Sequence, residues 1–370
     1  MSKMLFISPG PNYNAHSELY QSNYERLSEK LSGYIFTTSP RSERFKIGNF
    51  TYVSMRSKNT KLYVMLFFLF CIWQSILLRI RGDRIGLVTT YDPLKTGLIG
   101  LIVSRIHGAK FAPEVNGVYT SPAEWLDESD RLENRLKKKL YPPLMKFVLR
   151  HADGMRLLFK EQVDPFKDVL QDKVIRDFHC FVPTDRFRNV REEKEVLFAG
   201  FPFKRKGVDI LIRAFKEIAP KYPDWKLKIL GWYPNPDELY RAIGNHPQIF
   251  HHPPVKYDEM VEQIGSCAIL VLPSRSEAMG RVLVEAMAAE KPRIGSRVDG
   301  IPTVIDDGVD GFLVEPGNVE DLAEKLDMLM GDADLRKKMG LAGKERVKRE
   351  FSREVYFENL IAFYDEVLAQ

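Results

Sequence analysis

Short apolar runs alternate with longer amphipathic stretches along this chain, and the alternation occurs twice. In the first half, residues 4–7, 34–37, 85–89 and 110–115 read as buried strands, with helical spacing between them. In the second half, residues 195–199, 226–230, 249–251, 268–272 and 293–295 repeat the pattern. Strand after helix after strand builds a parallel sheet, because each parallel return needs a crossover long enough to hold a helix. The chain's 370 residues exceed what one hydrophobic core sustains, so two domains of roughly 180 residues each are expected. Turn formers at 182–187 and the charged run Arg191-Glu192-Glu193-Lys194 mark the boundary. The expectation is an α/β protein of two doubly wound, Rossmann-like domains facing across a cleft, the first over 1–185 and the second over 186–350. Ligands of such sheets collect at the carboxyl ends of the strands.

Composition narrows the class. Apolar residues make up 44% and charged residues 28%, the balance of an ordinary globular protein. Cys71, Cys180 and Cys267 are odd in number and far apart, which fits a reducing compartment and neither a disulfide framework nor a zinc site. The apolar start at 4–7 breaks at Ser8-Pro9-Gly10 and reads as a first strand, not a signal peptide. Charge is uneven: residues 1–185 hold 27 Lys/Arg against 19 Asp/Glu, and the remainder 28 against 31. A basic half suits nucleic acid, anionic lipid or phosphorylated substrates, with a solvated basic face as the ordinary alternative.

Residues 62–80 approach the ~20 apolar residues that cross a bilayer, flanked by Lys58, Lys61, Arg79 and Arg81. A crossing there would separate strands of one sheet into two solvents and place Gln74 and Ser75 in lipid. A buried crossover helix is favoured, ahead of a helix partly exposed at the membrane interface and, last, a true span.

Two stretches carry chemistry. Ser274-Arg275-Ser276-Glu277-Ala278-Met279-Gly280 follows the strand at 268–272 and leads into a helix that carries Glu285. The start of such a helix attracts anions, and Gly280 permits close backbone approach, so a diphosphate fits there. Glu277 precedes the helix and Glu285 lies inside it, so they serve separately. Glu285 suits a ribose diol and Glu277 sugar hydroxyls, against the plain reading of a capping and an exposed glutamate. In the second stretch, Gly200-Phe201-Pro202-Phe203-Lys204-Arg205-Lys206-Gly207 places three cations after the strand at 195–199, where they would meet charge on a departing diphosphate.

Gly200, Arg205-Lys206-Gly207, Ser274-x-x-Glu277-x-x-Gly280, Glu285-Ala286-Met287-Ala288, Pro292 and Gly300-Ile301-Pro302 together resemble the retaining glycosyltransferases of family 4, which have the GT-B architecture. The resemblance is strong from about residue 150 onward and fair before it. It implies that Glu277 contacts the donor sugar, Glu285 the ribose, and Arg205 with Lys206 the pyrophosphate. Gly280, Met279, Arg281 and Gly200 would complete the donor site. It also implies that the final helix, within 351–370, crosses back onto the first domain. Phe201 stands where many members have arginine, Met279 replaces a common Phe, and Asp299 and Thr303 replace a Gly and a Glu. In the first domain, Pro9-Gly10-Pro11 stands for a Gly-Gly loop and Asn116-Gly117 for a His-Gly, which makes Gly10 and Asn116 acceptor-side candidates.

The expected activity is metal-independent, cofactor-free hexosyl transfer from a nucleotide-diphosphate sugar to a saccharide or lipid-linked saccharide, in polysaccharide, lipopolysaccharide or glycan biosynthesis. The location implied is cytoplasmic, peripheral on an anionic membrane face, with no nucleic-acid partner. A nucleotide-sugar 2-epimerase of the same fold and a non-catalytic nucleotide-sugar-binding subunit are the alternatives. Asp332-Ala333-Asp334 has metal-donor spacing but sits between helices, where capping explains it. Neither G-x-G-x-x-G nor a P-loop occurs, and the seven histidines lack ligand spacing.

Overall fold

The computed structural model describes residues 3–8, 15–57, 63–127 and 132–370. It divides into two units. The first takes Met1–Gly117, Arg135–Phe178 and Phe357–Gln370, and the second Val118–Asn134 and His179–Tyr356.

The first unit is built, in chain order, from β1 (Lys3–Ser8), α1 (Glu18–Ser28), β2 (Gly33–Ser39), β3 (Arg44–Ile47), β4 (Phe50–Arg56), α2 (Tyr63–Ile80), β5 (Ile85–Thr90), α3 (Lys95–His107), β6 (Lys110–Val115), α4 (Leu132–Arg150), β7 (Gly154–Leu157) and β8 (Val174–Asp177). The strands pair in the order β3-β4-β2-β1-β5-β6-β7-β8, parallel throughout except for the β3–β4 hairpin. Alternate residues of β1 serve opposite faces. Leu5 and Ile7 join a core with Phe67, Cys71 and Leu78 of α2, Val103 of α3 and Val148 of α4. Phe6 points the other way and meets Tyr24 of α1 edge-on at 5.8 Å.

Within α2, Phe67, Cys71, Ser75 and Leu78 are buried, so it is a crossover helix seated on the sheet. Its opposite side is equally apolar and open: Met65, Leu69, Trp73, Ile76 and Ile80, at helical spacing, are exposed, Trp73 to 60%. By length and composition α2 is also apolar enough to cross a membrane.

The second unit continues with β9 (Glu195–Ala199), α5 (Val208–Ile218), β10 (Lys226–Leu230), α6 (Asp237–Ile243), β11 (Ile249–His252), α7 (Tyr257–Ser266), β12 (Ile269–Leu272), α8 (Arg281–Ala288), β13 (Arg293–Ser296), β14 (Gly311–Val314), α9 (Val319–Gly331), α10 (Ala333–Glu350) and α11 (Arg353–Ala369). Its sheet runs β11-β10-β9-β12-β13-β14, all parallel. Strand order reverses between β9 and β12, the point where open parallel sheets leave a crevice at their carboxyl ends. From Phe357 onward α11 belongs to the first unit, where Tyr364 meets Phe6 edge-on at 5.9 Å. Asp332 caps α10 by accepting the Leu335 N–H at 2.8 Å.

The strands at 195–199, 226–230 and 110–115 match the sequence expectation residue for residue. Five others, β3, β4, β7, β8 and β14, are additions to it. Residues 118–127 and 132–134, grouped by sequence with the first domain, fall in the second unit, and part of the reason lies in the site.

Candidate functional site

Two loops leave neighbouring strands at the reversal point, residues 200–207 after β9 and 273–280 after β12. The chain brings them into contact by backbone. The Arg275 N–H donates to the Arg205 carbonyl at 2.7 Å. Gly207, at φ 71°, lies so close to the second loop that a Cβ there would sit 1.9 Å from the Pro273 carbonyl oxygen. Only glycine tolerates both the angle and the approach. The Arg275 guanidinium then forks onto Asp209 in the first turn of α5, at 2.7 and 2.8 Å, and locks the two loops in register.

This stitching carries the Lys206 ammonium onto the Glu277 carboxylate, a direct ion pair with both side chains mostly covered. Glu277 is itself held by its main chain. Its N–H donates to Asp299 Oδ2 at 3.0 Å and its carbonyl accepts the Gly300 N–H at 3.1 Å. The same Asp299 oxygen accepts the Ser276 hydroxyl at 2.7 Å. Asp299 has φ 46°, the left-handed region that Asp enters more readily than most residues. It stands where the resemblance led one to expect glycine. Its role as the clamp on Glu277 is visible only in three dimensions.

Gly280, at φ 73°, starts α8, where a Cβ would press on Leu283 and Leu272 at 2.9 and 3.0 Å. Met279 is 3% exposed and fills space beneath the loop, whereas Arg281 is exposed at the helix start. One turn on, burial holds the Glu285 carboxyl above its ordinary range, with the Arg281 charge opposing. Burial, and then the Glu285 charge, push the Tyr257 phenol up in turn. Its hydroxyl donates to the Pro183 carbonyl at 3.2 Å. Gly200 accepts the Tyr233 hydroxyl at 3.0 Å, which ties the loop after β10 to the loop after β9.

Arg205 is engaged from an unexpected quarter. Its guanidinium Nη1 donates to both carboxylate oxygens of Glu124, at 2.9 and 3.0 Å. The main-chain N–H groups of Lys204 and Arg205 each donate to one oxygen of Asp127, both at 2.7 Å. Glu124 also accepts the Ser276 hydroxyl at 3.2 Å. These bonds tie the turn at 121–127 to the second unit. A sequence signal existed in Ser121-Pro122 opening a helical turn with two acids three residues apart, but such a turn ordinarily faces solvent.

Of the other candidates, Asn116 lies in the first unit, at the end of β6. It accepts from the buried Arg156 at 2.8 Å beside Glu114, which takes the same guanidinium at 2.7 Å. Gly10 lies outside the described residues. The second unit thus gathers Arg205, Lys206, Glu277, Gly280, Arg281 and Glu285 along one pair of strand ends. There an anion could take the ammonium and guanidinium while Glu277, released from Lys206, accepts hydroxyls.

The family model described as Glycosyl transferases group 1 matches residues 182–346. An uncharacterized glycosyltransferase of Methanocaldococcus jannaschii is 37% identical over 244 residues, 64% of this chain and 65% of that protein. The N-acetyl-alpha-D-glucosaminyl L-malate synthase of Bacillus anthracis is 31% identical over 289 residues, 78% of this chain and 69% of the relative. Among solved structures, sucrose-phosphate synthase from Thermosynechococcus elongatus superposes with a TM-score of 0.79 at 16% identity, over 99% of this chain and 100% of that one. That likeness shows a shared fold, two Rossmann-like sheets of the GT-B kind.

Proposed function

Because this chain belongs to the glycosyl transferases group 1 family, we propose that it moves a sugar from a nucleotide-diphosphate donor to a saccharide or lipid-linked saccharide acceptor, in the synthesis of a polysaccharide, lipopolysaccharide or glycan. The observation that carries the reading is the Lys206–Glu277 ion pair at the strand-order reversal, a cation and a carboxylate placed side by side. In this reading the donor's diphosphate takes Lys206 and Arg205, and the start of α8 adds its dipole. Fixed positive charge aimed at a leaving group contributes several kcal/mol to the transition state, the service a metal ion performs elsewhere. Glu277, freed of Lys206, accepts hydroxyls of the sugar beside the anomeric carbon, and Glu285 accepts the ribose diol. The acceptor attacks on the face from which the diphosphate departs, and a donor phosphate oxygen takes its proton, so configuration is retained. The open stripe of α2, with exposed Arg81 and Arg84 beyond its end, supports an acceptor presented at an anionic membrane surface.

A panel of UDP-, GDP- and ADP-sugars identifies the donor, and NMR of the product gives its anomeric configuration. Glu277→Ala should keep nucleotide affinity and lose transfer by about a hundredfold or more. An inverted product removes the retaining mechanism, and undiminished transfer by the variant removes the role of Glu277.

A further inference from the structure

The β9 loop, which the reading above gives to the donor, is already occupied by an anion from within the chain. The Arg205 guanidinium and the main-chain N–H groups of Lys204 and Arg205, which would hold phosphoryl oxygens, hold carboxylate oxygens instead. Glu124 takes the Arg205 guanidinium at two atoms and the Ser276 hydroxyl, and Asp127 bridges the successive N–H groups of Lys204 and Arg205. A guanidinium N–H group, a hydroxyl and paired main-chain amides are donors by which proteins bind phosphate.

We propose that the acidic turn at 121–127 is an internal competitor for the donor's diphosphate, and that a diphosphate enters by displacing Glu124 and Asp127 from Arg205 and the β9 loop. This inference rests on the reading of that loop as the diphosphate site.

The turn is built to leave. No side chain of its single helical turn, Pro122–Trp125, is fully buried. While it is seated, Arg205 and two main-chain donors stay satisfied in the absence of ligand, which avoids the cost of an uncompensated charge. The two carboxylates also select. A ligand with one anionic group replaces one of them, and a diphosphate replaces both.

Inorganic pyrophosphate is the probe, since it needs no knowledge of the base, titrated calorimetrically against the full chain. Removing the competitor lifts the tax that a closed state places on affinity, so Glu124→Gln should bind pyrophosphate about tenfold tighter. Asp127→Asn should shift affinity in the same direction, and the ratio of pyrophosphate to phosphate affinity should fall in both. The gain should vanish in an Arg205→Met background, and hydrogen exchange of amides 118–127 should rise when pyrophosphate binds the unmodified chain. Three results overturn the competitor and leave the anion site standing. They are unchanged or weaker binding by Glu124→Gln while Arg205→Met loses affinity, a gain that persists without Arg205 and so reports long-range repulsion, and protection of 118–127 by pyrophosphate. Pyrophosphate binding indifferent to both Arg205→Met and Lys206→Met overturns the diphosphate reading and the competitor with it.

Discussion

Asp299 offers a sharp test of how the site is held. Changing it to glycine removes one carboxylate and leaves the backbone free to keep its φ of 46°. Two hydrogen bonds disappear, from the Ser276 hydroxyl at 2.7 Å and the Glu277 N–H at 3.0 Å. Bonds to a charged acceptor contribute about 1.5–3 kcal/mol each when buried. Here partial exposure lets water replace some of that, and glycine recovers about 1 kcal/mol of left-handed strain. The net loss of stability should therefore be about 1–3 kcal/mol, small enough for the chain to fold. The effect on catalysis should be larger in proportion. Glu277 would keep its Gly300 bond but lose the one that fixes its amide, and a misplacement of about 1 Å in such a group costs about a hundredfold. Steady-state rates with the donor found by screening should show kcat down by about that factor and donor KM within about threefold. Asp299→Asn keeps an acceptor and tolerates the same backbone region, so it should return most of the rate. A glycine variant with an ordinary melting curve and kcat within about twofold of the parent would refute the clamp.

Glu285 joins stability to function. Because burial raises its carboxyl above the ordinary 4.5, folding works against ionisation. The cost is full at pH above the raised value and disappears as pH falls below 4.5, where the group is protonated folded or unfolded. Glu285→Gln should thus stabilise the fold by about 1 kcal/mol at pH 8, with the gain fading in acid, and weaken nucleotide binding by about tenfold. A gain that ignores pH, or unaltered affinity, contradicts this assignment. For α2, flotation with anionic vesicles at low salt should carry the chain upward, and Trp73→Glu should leave it at the bottom. Failure of the unmodified chain to float, or equal flotation of both, removes the membrane contact.

Both sheets were legible in the sequence where strands are continuous apolar runs. The strands it left out each break that rule for a physical reason. In β7 the run Gly154-Met155-Arg156-Leu157 is interrupted by an arginine that is buried only because Glu114 and Asn116 take its charge. The β8 strand ends in Arg176-Asp177, exposed at a sheet edge, and β14 is a short apolar run that opens on glycine. The hairpin of β3 and β4 turns on Gly48 at φ 53°, amid polar residues that look like loop. In the site, the glycines and glutamates announce themselves because few arrangements need those types at that spacing. Glu124, Asp127 and Asp299 do not, since each acts through contacts 22 or more positions away and a lone acid in a loop has many ordinary explanations.

The last 14 residues, 357–370, complete the first unit although 178 residues of the second precede them. On a ribosome the second unit has all of its chain before the first does. The aromatic face around Phe6 meets Tyr24 and Phe50 nearby in the chain, but it stays incomplete until Tyr364 has emerged. Loss of residues 357–370 therefore strikes the sheet built around β1, on the far side of the sequence from the lesion.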